Sequence, residues 1–221
     1  MTQTETTSSL SNSFTDLMTS LAVIFILLLC ASLNNVHQQS KATRNSVLVE
    51  VQRSLKEFSS GGIEVKTDPR DALGLLVLVP EDLLAFPLDK AEISSRGETF
   101  LESFIPRLSG IVCSPRFARE INSIVVEGHT DSSGTPEHNW DLAQRRSMSV
   151  VRASLSALGA GTDSRERSAF LRLLSASGRG NAEVLTGPDG QEDATQSRRV
   201  VFKIRVRSLE QKELIDALGT T

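Results

Sequence analysis

The sequence lacks the features of several common classes of protein. Its 221 residues carry 24 Lys and Arg against 27 Asp and Glu, a net charge of -3, and no dense basic stripe, which argues against direct binding of nucleic acid. Two cysteines are too few for a disulfide framework; Cys30 lies in an apolar run and Cys113 is expected to be buried. We find no nucleophile elbow, phosphate-binding loop or pair of catalytic carboxylates, so we expect neither an enzyme nor a cofactor.

One long apolar run stands out, residues 14–33, FTDLMTSLAVIFILLLCASL. About 20 residues of helix extend about 30 Å, the thickness of a bilayer core, so this run predicts a transmembrane helix. Its one carboxyl group, Asp16, shares a helical face with Thr19 and Ser20 and is costly to desolvate. Two interpretations of Asp16 remain open: a group that binds and releases a proton or sodium ion, or an ordinary cap near the helix start.

The residues around the run bear on orientation and processing. Lys41 and Arg44 follow it and no Lys or Arg precedes it, so the charge bias favours an outside N-terminus. Cys30 followed by Ala31 superficially resembles a lipoprotein cleavage site. Since bulky Leu29 stands where such signals carry a small residue, a cleaved signal is the less favoured alternative.

Beyond the run, the pattern predicts a helical linker and one α+β domain. Residues 34–62 have apolar residues at loosely helical spacing and end at Ser-Ser-Gly-Gly, which predicts a helix that pairs with a second copy, packs on the following domain or stays solvated. The domain, residues 63–208, is expected to hold a mixed sheet packed by helices, with residues 209–221 as a C-terminal helix or tail. Its predicted strands are 63–67, 75–79, 124–127 and 200–206, and its predicted helices are 94–110, 137–158 and 164–175.

Residues 124–155 hold the clearest candidate binding site. A buried strand ends at Glu127, a polar loop carries Asp131, and Thr135-Pro136 is typical of a helix start. Arg146 lies in that helix, and its side chain leans back toward the loop. Because Arg146 offers a planar fork to a carboxylate and Asp131 accepts from an ammonium, the pair suits a zwitterionic ligand.

Three further interpretations of this stretch stay open. Asp131 and Arg146 can form an internal salt bridge with no ligand. Asn139 can orient either the loop or a ligand. A metal site of His129, Asp131 and His138 is imaginable, but no metal-binding motif supports it, so none is predicted.

At these residues the domain resembles the OmpA-like peptidoglycan-binding family. That resemblance implies that Asp131 and Arg146 hold the diaminopimelate of the peptide stem, with Thr130, Asn139 and Arg198 in the same site. Ser147 stands where the family usually has Ala, a change between small residues. The matching residues are Gly128, Thr130, Asp131, Gly134, Asn139, Leu142 and Arg146, followed by Arg198-Arg199-Val200.

The apolar run resembles the membrane segment of MotB-type stator proteins, in which the Asp of a similar motif carries the ion. Within that group, the sequence is most similar to the ZorB proteins of Zorya anti-phage systems, on the basis of Ala31-Ser32-Leu33, Arg146-Ser147 and Ser197-Arg198-Arg199-Val200. The matching residues of the motif are Ser13, Phe14, Asp16, Leu17, Met18 and Thr19.

These resemblances imply an ion-driven motor in the bacterial inner membrane. Two copies would place their single spans inside a ring of ZorA-like multi-pass subunits, with Asp16 carrying protons or, alternatively, sodium ions. Residues 1–13 would be a cytoplasmic tail, and the domain would be periplasmic and hold the peptidoglycan. The alternatives are a flagellar MotB-type stator and a static OmpA-like or Pal-like anchor.

Overall fold

The computed structural model describes the chain as two compact units, Met1–Thr43 and Arg44–Thr221. Backbone is described for residues 3–87, 89–159 and 162–218, and side chains for residues 16–34, 45–59, 61–87, 89–159 and 162–218. The predicted tail, residues 1–13, and the side chains of Ser13 and Phe14 in the stator motif therefore lie outside the described side chains.

The first unit is helical. Helix α1 is assigned to Gln3–Leu55, and its stretch Asp16–Asn34 has the length and composition of a membrane span: 19 residues with a mean hydropathy of 2.3. None of this stretch is buried against the rest of the protein. An apolar helix whose side chains find no protein cover is the arrangement that a span through lipid requires.

The second unit begins with the last part of α1, which belongs to the core. Leu48, Val51, Leu55 and Phe58 are all buried, and the ring of Phe58 lies 4.8 Å from that of Phe104 in an edge-on contact. Of the three arrangements predicted for this segment, packing on the domain is the one that these residues adopt. The core therefore begins before residue 63.

The elements of the second unit alternate strands with helices. A 3₁₀ helix, Lys56–Gly61, follows α1. The strands are β1 (Glu64–Thr67), β2 (Gly74–Pro80), β3 (Ile121–His129), β4 (Leu174–Gly180) and β5 (Arg199–Val206). The helices are α2 (Ser95–Val112), α3 (Pro136–Ala157), α4 (Ser164–Leu173), α5 (Ala194–Ser197) and α6 (Leu209–Leu218).

The five strands form one mixed sheet in the order β1-β2-β5-β3-β4. Strand β3 pairs in parallel with β4, and the other neighbours pair antiparallel. Alternate residues of the central strands, such as Val77, Ile124 and Phe202, are fully buried, and the ring of Phe104 in α2 packs on Phe202 at 5.3 Å. The predicted α+β fold with a mixed sheet packed by helices is confirmed.

Close packing of α3 on the sheet depends on two glycines. A Cβ atom at Gly128 would lie 2.3 Å from the carbonyl oxygen of Ala143, and one at Gly178 would lie 2.5 Å from the amide nitrogen of Gln144. Because neither helix position can retreat without losing core contacts, only glycine fits in β3 and β4 here. Strand β3 therefore ends directly beneath the first turns of α3.

Two features of the domain differ from the predictions. The polar helix expected over residues 164–175 is present as Ser164–Leu173, but strand β4, Leu174–Gly180, was not predicted from the sequence. Cys113 was expected to be buried but is only partly buried against the core. The remaining predicted strands and helices are present, with shifted ends.

Candidate functional site

A cavity of about 440 Å³ opens where β3 ends and α3 begins. The loop after β2 and the residue before β5 complete its walls. Both acidic and basic side chains line it, together with the apolar side chains of Phe86 and Leu142. The lining residues are Glu81, Phe86, Asp89, Thr130, Asp131, Ser133, Gly134, His138, Asn139, Leu142, Arg146 and Arg198.

The start of α3 is built by local rules. Thr135 caps the helix, its hydroxyl accepting from the amide of His138 at 3.2 Å, and Pro136 occupies the first helical position. In the preceding loop, the amide of Ser133 donates to Asp131 Oδ1 at 3.0 Å. Asp131 is thus fixed at a strand end beside a helix N-terminus, as predicted.

Asp131 forms its ion pair with Arg198. Arg198 donates from Nη1 to Asp131 Oδ2 at 2.7 Å and from Nε to Glu81 Oε2 at 2.8 Å, so one guanidinium bridges two carboxylates. Burial opposes ionisation of Asp131, but the hydrogen bonds from Arg198 and Ser133 outweigh it and lower its pKa. The hydrogen bonds to Asp131 and Glu81 raise the pKa of Arg198.

Arg146 has a different environment. It is only 6% exposed, its Nε donates to the carbonyl oxygen of Lys90 at 2.9 Å, and its guanidinium lies 5.0 Å from the centre of the Phe86 ring. Burial lowers its pKa, and the nearby carboxylate of Glu81 opposes that shift. Among the described residues, no acceptor takes a hydrogen bond from its terminal nitrogens, so both can donate to a ligand.

The predicted site residues converge on this cavity. Asp131, Arg146, Asn139, Thr130 and Arg198 all line it. The internal salt bridge considered between Asp131 and Arg146 is not formed, because Arg198 takes that place. Of the two roles considered for Asn139, the structure supports the first: its Nδ2 donates to the carbonyl oxygen of Asp131 at 3.3 Å and so orients the loop.

Five lining residues were not assigned to this site from the sequence: Glu81, Phe86, Asp89, Ser133 and His138, the last of which was considered only as a metal ligand. Three of them come from the loop that follows β2, far from residues 124–155 in the chain. The sequence contains only a weak indication that these residues belong to the site. Glu81 lies two residues beyond the predicted apolar strand 75–79, and polar side chains at strand ends frequently serve a site.

His129 does not join the cavity. Its ring is buried, with Nε2 at 3.7 Å from Glu127 Oε2, and it lines a separate cavity of about 280 Å³ with Arg199 and Glu183. Burial lowers its pKa, partly offset by Glu127. His129, Asp131 and His138 therefore do not converge, and no group of three metal-ligating side chains occurs in the described part of the chain.

In the first unit, the candidate ion-carrying carboxyl lies at the edge of the apolar stretch. Asp16, Thr19 and Ser20 occupy one turn of α1, and all three side chains are exposed. An exposed carboxyl group at the edge of an apolar stretch, such as that of Asp16, can be reached by a neighbouring helix or an ion.

The sequence matches the OmpA family over residues 86–198, slightly more than half of the chain. Over 205 residues it is 23% identical to the Zorya protein ZorB of Escherichia coli strain Crooks, an alignment that covers 87% of this chain and 86% of that protein. The similarity to ZorB inferred from the sequence is thus confirmed.

Two solved structures share the fold. A MotB-like protein from Desulfovibrio vulgaris superposes with a TM-score of 0.50 at 21% identity, covering 77% of this chain and 98% of that one. A fragment of the periplasmic domain of Helicobacter pylori MotB also gives a TM-score of 0.50, at 16% identity, covering 71% of this chain and 97% of that one. At such identities the likeness concerns the fold.

Proposed function

Because the chain belongs to the OmpA family, we propose that it is a membrane-anchored, stator-type subunit whose C-terminal domain binds the peptide stem of peptidoglycan. The role is one of binding and anchoring rather than catalysis. The similarity to ZorB supports this proposal, since an alignment that covers 87% of the chain must extend beyond the domain into the first unit. The observation that carries it is the buried guanidinium of Arg146, whose terminal nitrogens face an open cavity lined by carboxylates.

The cavity suits one end of diaminopimelate, which bears an ammonium and a carboxylate on the same carbon. Arg146 presents two parallel N–H donors to the carboxylate, with Phe86 beneath to hold the guanidinium plane. Asp131 accepts from the ammonium while Arg198 keeps it ionised. Thr130 and Asn139 shape the loop between them, since the amide of Thr130 donates to Gly180 at 2.9 Å and Asn139 holds the carbonyl of Asp131.

The apolar stretch of α1 crosses the inner membrane once, with the N-terminus in the cytoplasm and the domain in the periplasm. Asp16 carries the translocated ion, a proton in preference to sodium, and Thr19 and Ser20 support it. Two copies lie within a ring of ZorA-like subunits. The domain holds the cell wall because a motor delivers torque only when one part is fixed.

The system served is anti-phage defence, as the similarity to the Zorya protein suggests. A flagellar stator is the second candidate, and the shared fold with MotB favours it only as far as architecture goes. A static peptidoglycan anchor is the third candidate. Unlike the other two, it does not need Asp16 to carry an ion.

The binding half of this proposal is tested with Arg146→Lys and the matched control Arg145→Lys. Arg145 is the exposed neighbour on α3, paired with Asp141 at 2.9 Å. Lysine cannot reproduce a two-pronged contact, so Arg146→Lys should weaken binding of soluble muropeptides by about tenfold or more. Arg145→Lys should bind as the wild type does.

The measurement is calorimetry on the full chain in lipid nanodiscs, accompanied by thermal unfolding of each variant. Because Arg146 is buried, a loss of affinity counts only if the unfolding temperature is preserved. Tight binding by a well-folded Arg146→Lys variant would refute the assignment of the cavity to the peptide stem.

A further inference from the structure

Three carboxylates line the candidate cavity, and they are not equivalent. Asp131 and Glu81 are both engaged by Arg198, at 2.7 and 2.8 Å, so that each has a permanent cation beside it. Asp89 has none: its one polar partner among the described side chains is His138, whose Nε2 lies 2.7 Å from Asp89 Oδ1. Asp89 therefore retains most of its capacity to attract a cationic group.

The backbone of Asp89 is unusual. Its φ of +57° makes it the one non-glycine residue with a positive φ in the described parts of the chain. Aspartate tolerates this left-handed conformation better than most residues, yet it is still less favourable there than glycine. Strained residues that persist in the wall of a cavity commonly have a functional reason, and the side chain is what a glycine would lack.

The first turn of α3 holds this carboxylate and the Asp131 loop together. His138 contacts Asp89, and the next residue, Asn139, donates to the carbonyl oxygen of Asp131 at 3.3 Å. Two acidic residues from distant parts of the chain, one through its carboxylate and the other through its backbone carbonyl, are thus held by consecutive residues of α3. Since an ammonium has three N–H donors, it can be shared between two such carboxylates.

The segment around Asp89 also holds the basic end of the cavity. The carbonyl oxygen of Lys90 accepts from Arg146 Nε at 2.9 Å, so the residue next to Asp89 fixes the guanidinium. Asp89 is 65% exposed, which places its carboxylate at the mouth, whereas Arg146 is buried within. A negative and a positive group therefore line the same cavity, and Asp89 is among the carboxylates whose charge acts on Arg146.

We propose that Asp89 contacts the ligand's ammonium group at the cavity mouth and, with Arg146, selects ligands in which a free ammonium stands beside a carboxylate. This inference rests on the proposed function, that the cavity binds the peptide stem. It adds a residue that sets specificity. A stem in which the free amine of diaminopimelate is blocked loses the contact with Asp89 and keeps the one with Arg146. His138 positions the carboxylate.

The test compares two probes on the full chain in nanodiscs. One is a stem tripeptide ending in diaminopimelate, and the other is the same tripeptide with the free amine of its diaminopimelate acetylated. Asp89→Asn removes the charge and tolerates the left-handed backbone. Asp89→Gly removes the side chain and relieves the strain, so its unfolding temperature should equal or exceed that of the wild type. Asp141→Asn is the control, an exposed carboxylate of α3 outside the cavity lining.

Both Asp89 variants should bind the free-amine tripeptide about tenfold more weakly, the usual worth of a charge-assisted hydrogen bond. They should bind the acetylated tripeptide as the wild type does, and Asp141→Asn should change neither affinity. Unchanged affinity of the Asp89 variants for the free-amine probe would overturn the inference. An equal loss of affinity for both probes would overturn it too, because Asp89 would then maintain the shape of the cavity rather than contact the ammonium. Failure of the wild type to bind either probe would instead refute the proposed function.

Discussion

Arg198 donates from Nη1 to Asp131 Oδ2 at 2.7 Å, which pairs the loop after β3 with the residue that enters the neighbouring strand, β5. The pairing satisfies Asp131 without Arg146. The guanidinium of Arg146 is thereby left for a ligand, while Arg198 pairs with two of the three carboxylates of the cavity, Asp131 and Glu81.

We expect Arg198→Met to weaken stem-peptide binding by about tenfold, because Asp131 and Glu81 would lose the cation that holds them and would repel each other. Arg205→Met is the matched control, since Arg205 lies near the other end of β5, the strand that follows Arg198, and pairs with Asp71 at 2.8 Å, away from the cavity. Binding calorimetry on both variants measures their affinities for the stem peptide. Equal affinities for Arg198→Met and the wild type would show that the bridge is dispensable.

Asp16→Asn should abolish both phage protection and proton flux, because an amide cannot release a proton. The variant is to be co-expressed with its genomic neighbours and compared at equal membrane abundance, by plaque counts and by flux in membrane vesicles. Ser32→Ala, another change in the apolar stretch, should leave both unaffected. Full protection by Asp16→Asn would favour a static anchor.

Gly128→Ala should destabilise the domain by about 1 to 3 kcal/mol, because the added Cβ would lie 2.3 Å from the carbonyl oxygen of Ala143. Gly110→Ala is the opposite case: it lies within α2 with nothing within 4 Å, so it should stabilise by about 0.5 to 1 kcal/mol. Denaturant unfolding followed by the single Trp, Trp140, measures both. A wild-type-like Gly128→Ala would mean that α3 can shift off the sheet.

Glu183 predicts a dependence of stability on pH. Burial opposes its ionisation, but hydrogen bonds from Arg70 and Arg179 outweigh this and lower its pKa from 4.5 to about 2. A depressed carboxyl pKa stabilises the fold at pH values above 4.5, and the contribution is lost as the pH falls toward 2.

The check is the difference in unfolding free energy between the wild type and Glu183→Gln. At neutral pH we expect about 1 to 3 kcal/mol, reduced by solvent because Arg70 is half exposed. Between about pH 5 and pH 3 the difference should shrink. A constant difference over that range would contradict the pairing.

What could be predicted from the sequence was local. The start of α3 followed from Thr135 and Pro136, since a capping residue and a first-turn proline act within one turn of helix. Asp131 and Arg146 were identified for the same reason, because they belong to one contiguous strand, loop and helix. Strand β4 was missed because Leu174–Gly180 is made of small and polar residues, and its place depends on pairing with β3.

The rest of the site depends on contacts between distant parts of the chain. Arg198 reaches Asp131 only because β5 lies beside β3 in the sheet. Asp89 enters through a loop that meets α3 at His138, and no periodicity near residue 89 indicates that meeting. Such contacts follow from topology, which hydrophobic patterns constrain only loosely.

The burial of Leu48, Val51, Leu55 and Phe58 determines where the domain can be cut for expression. A truncated product starting at residue 63 would uncover the partners of these four side chains, including the ring of Phe104, and we expect it to aggregate. A product starting near residue 45 would retain these contacts. The helical stretch that resembles a linker in the sequence would then cover the apolar face of the domain as part of its core.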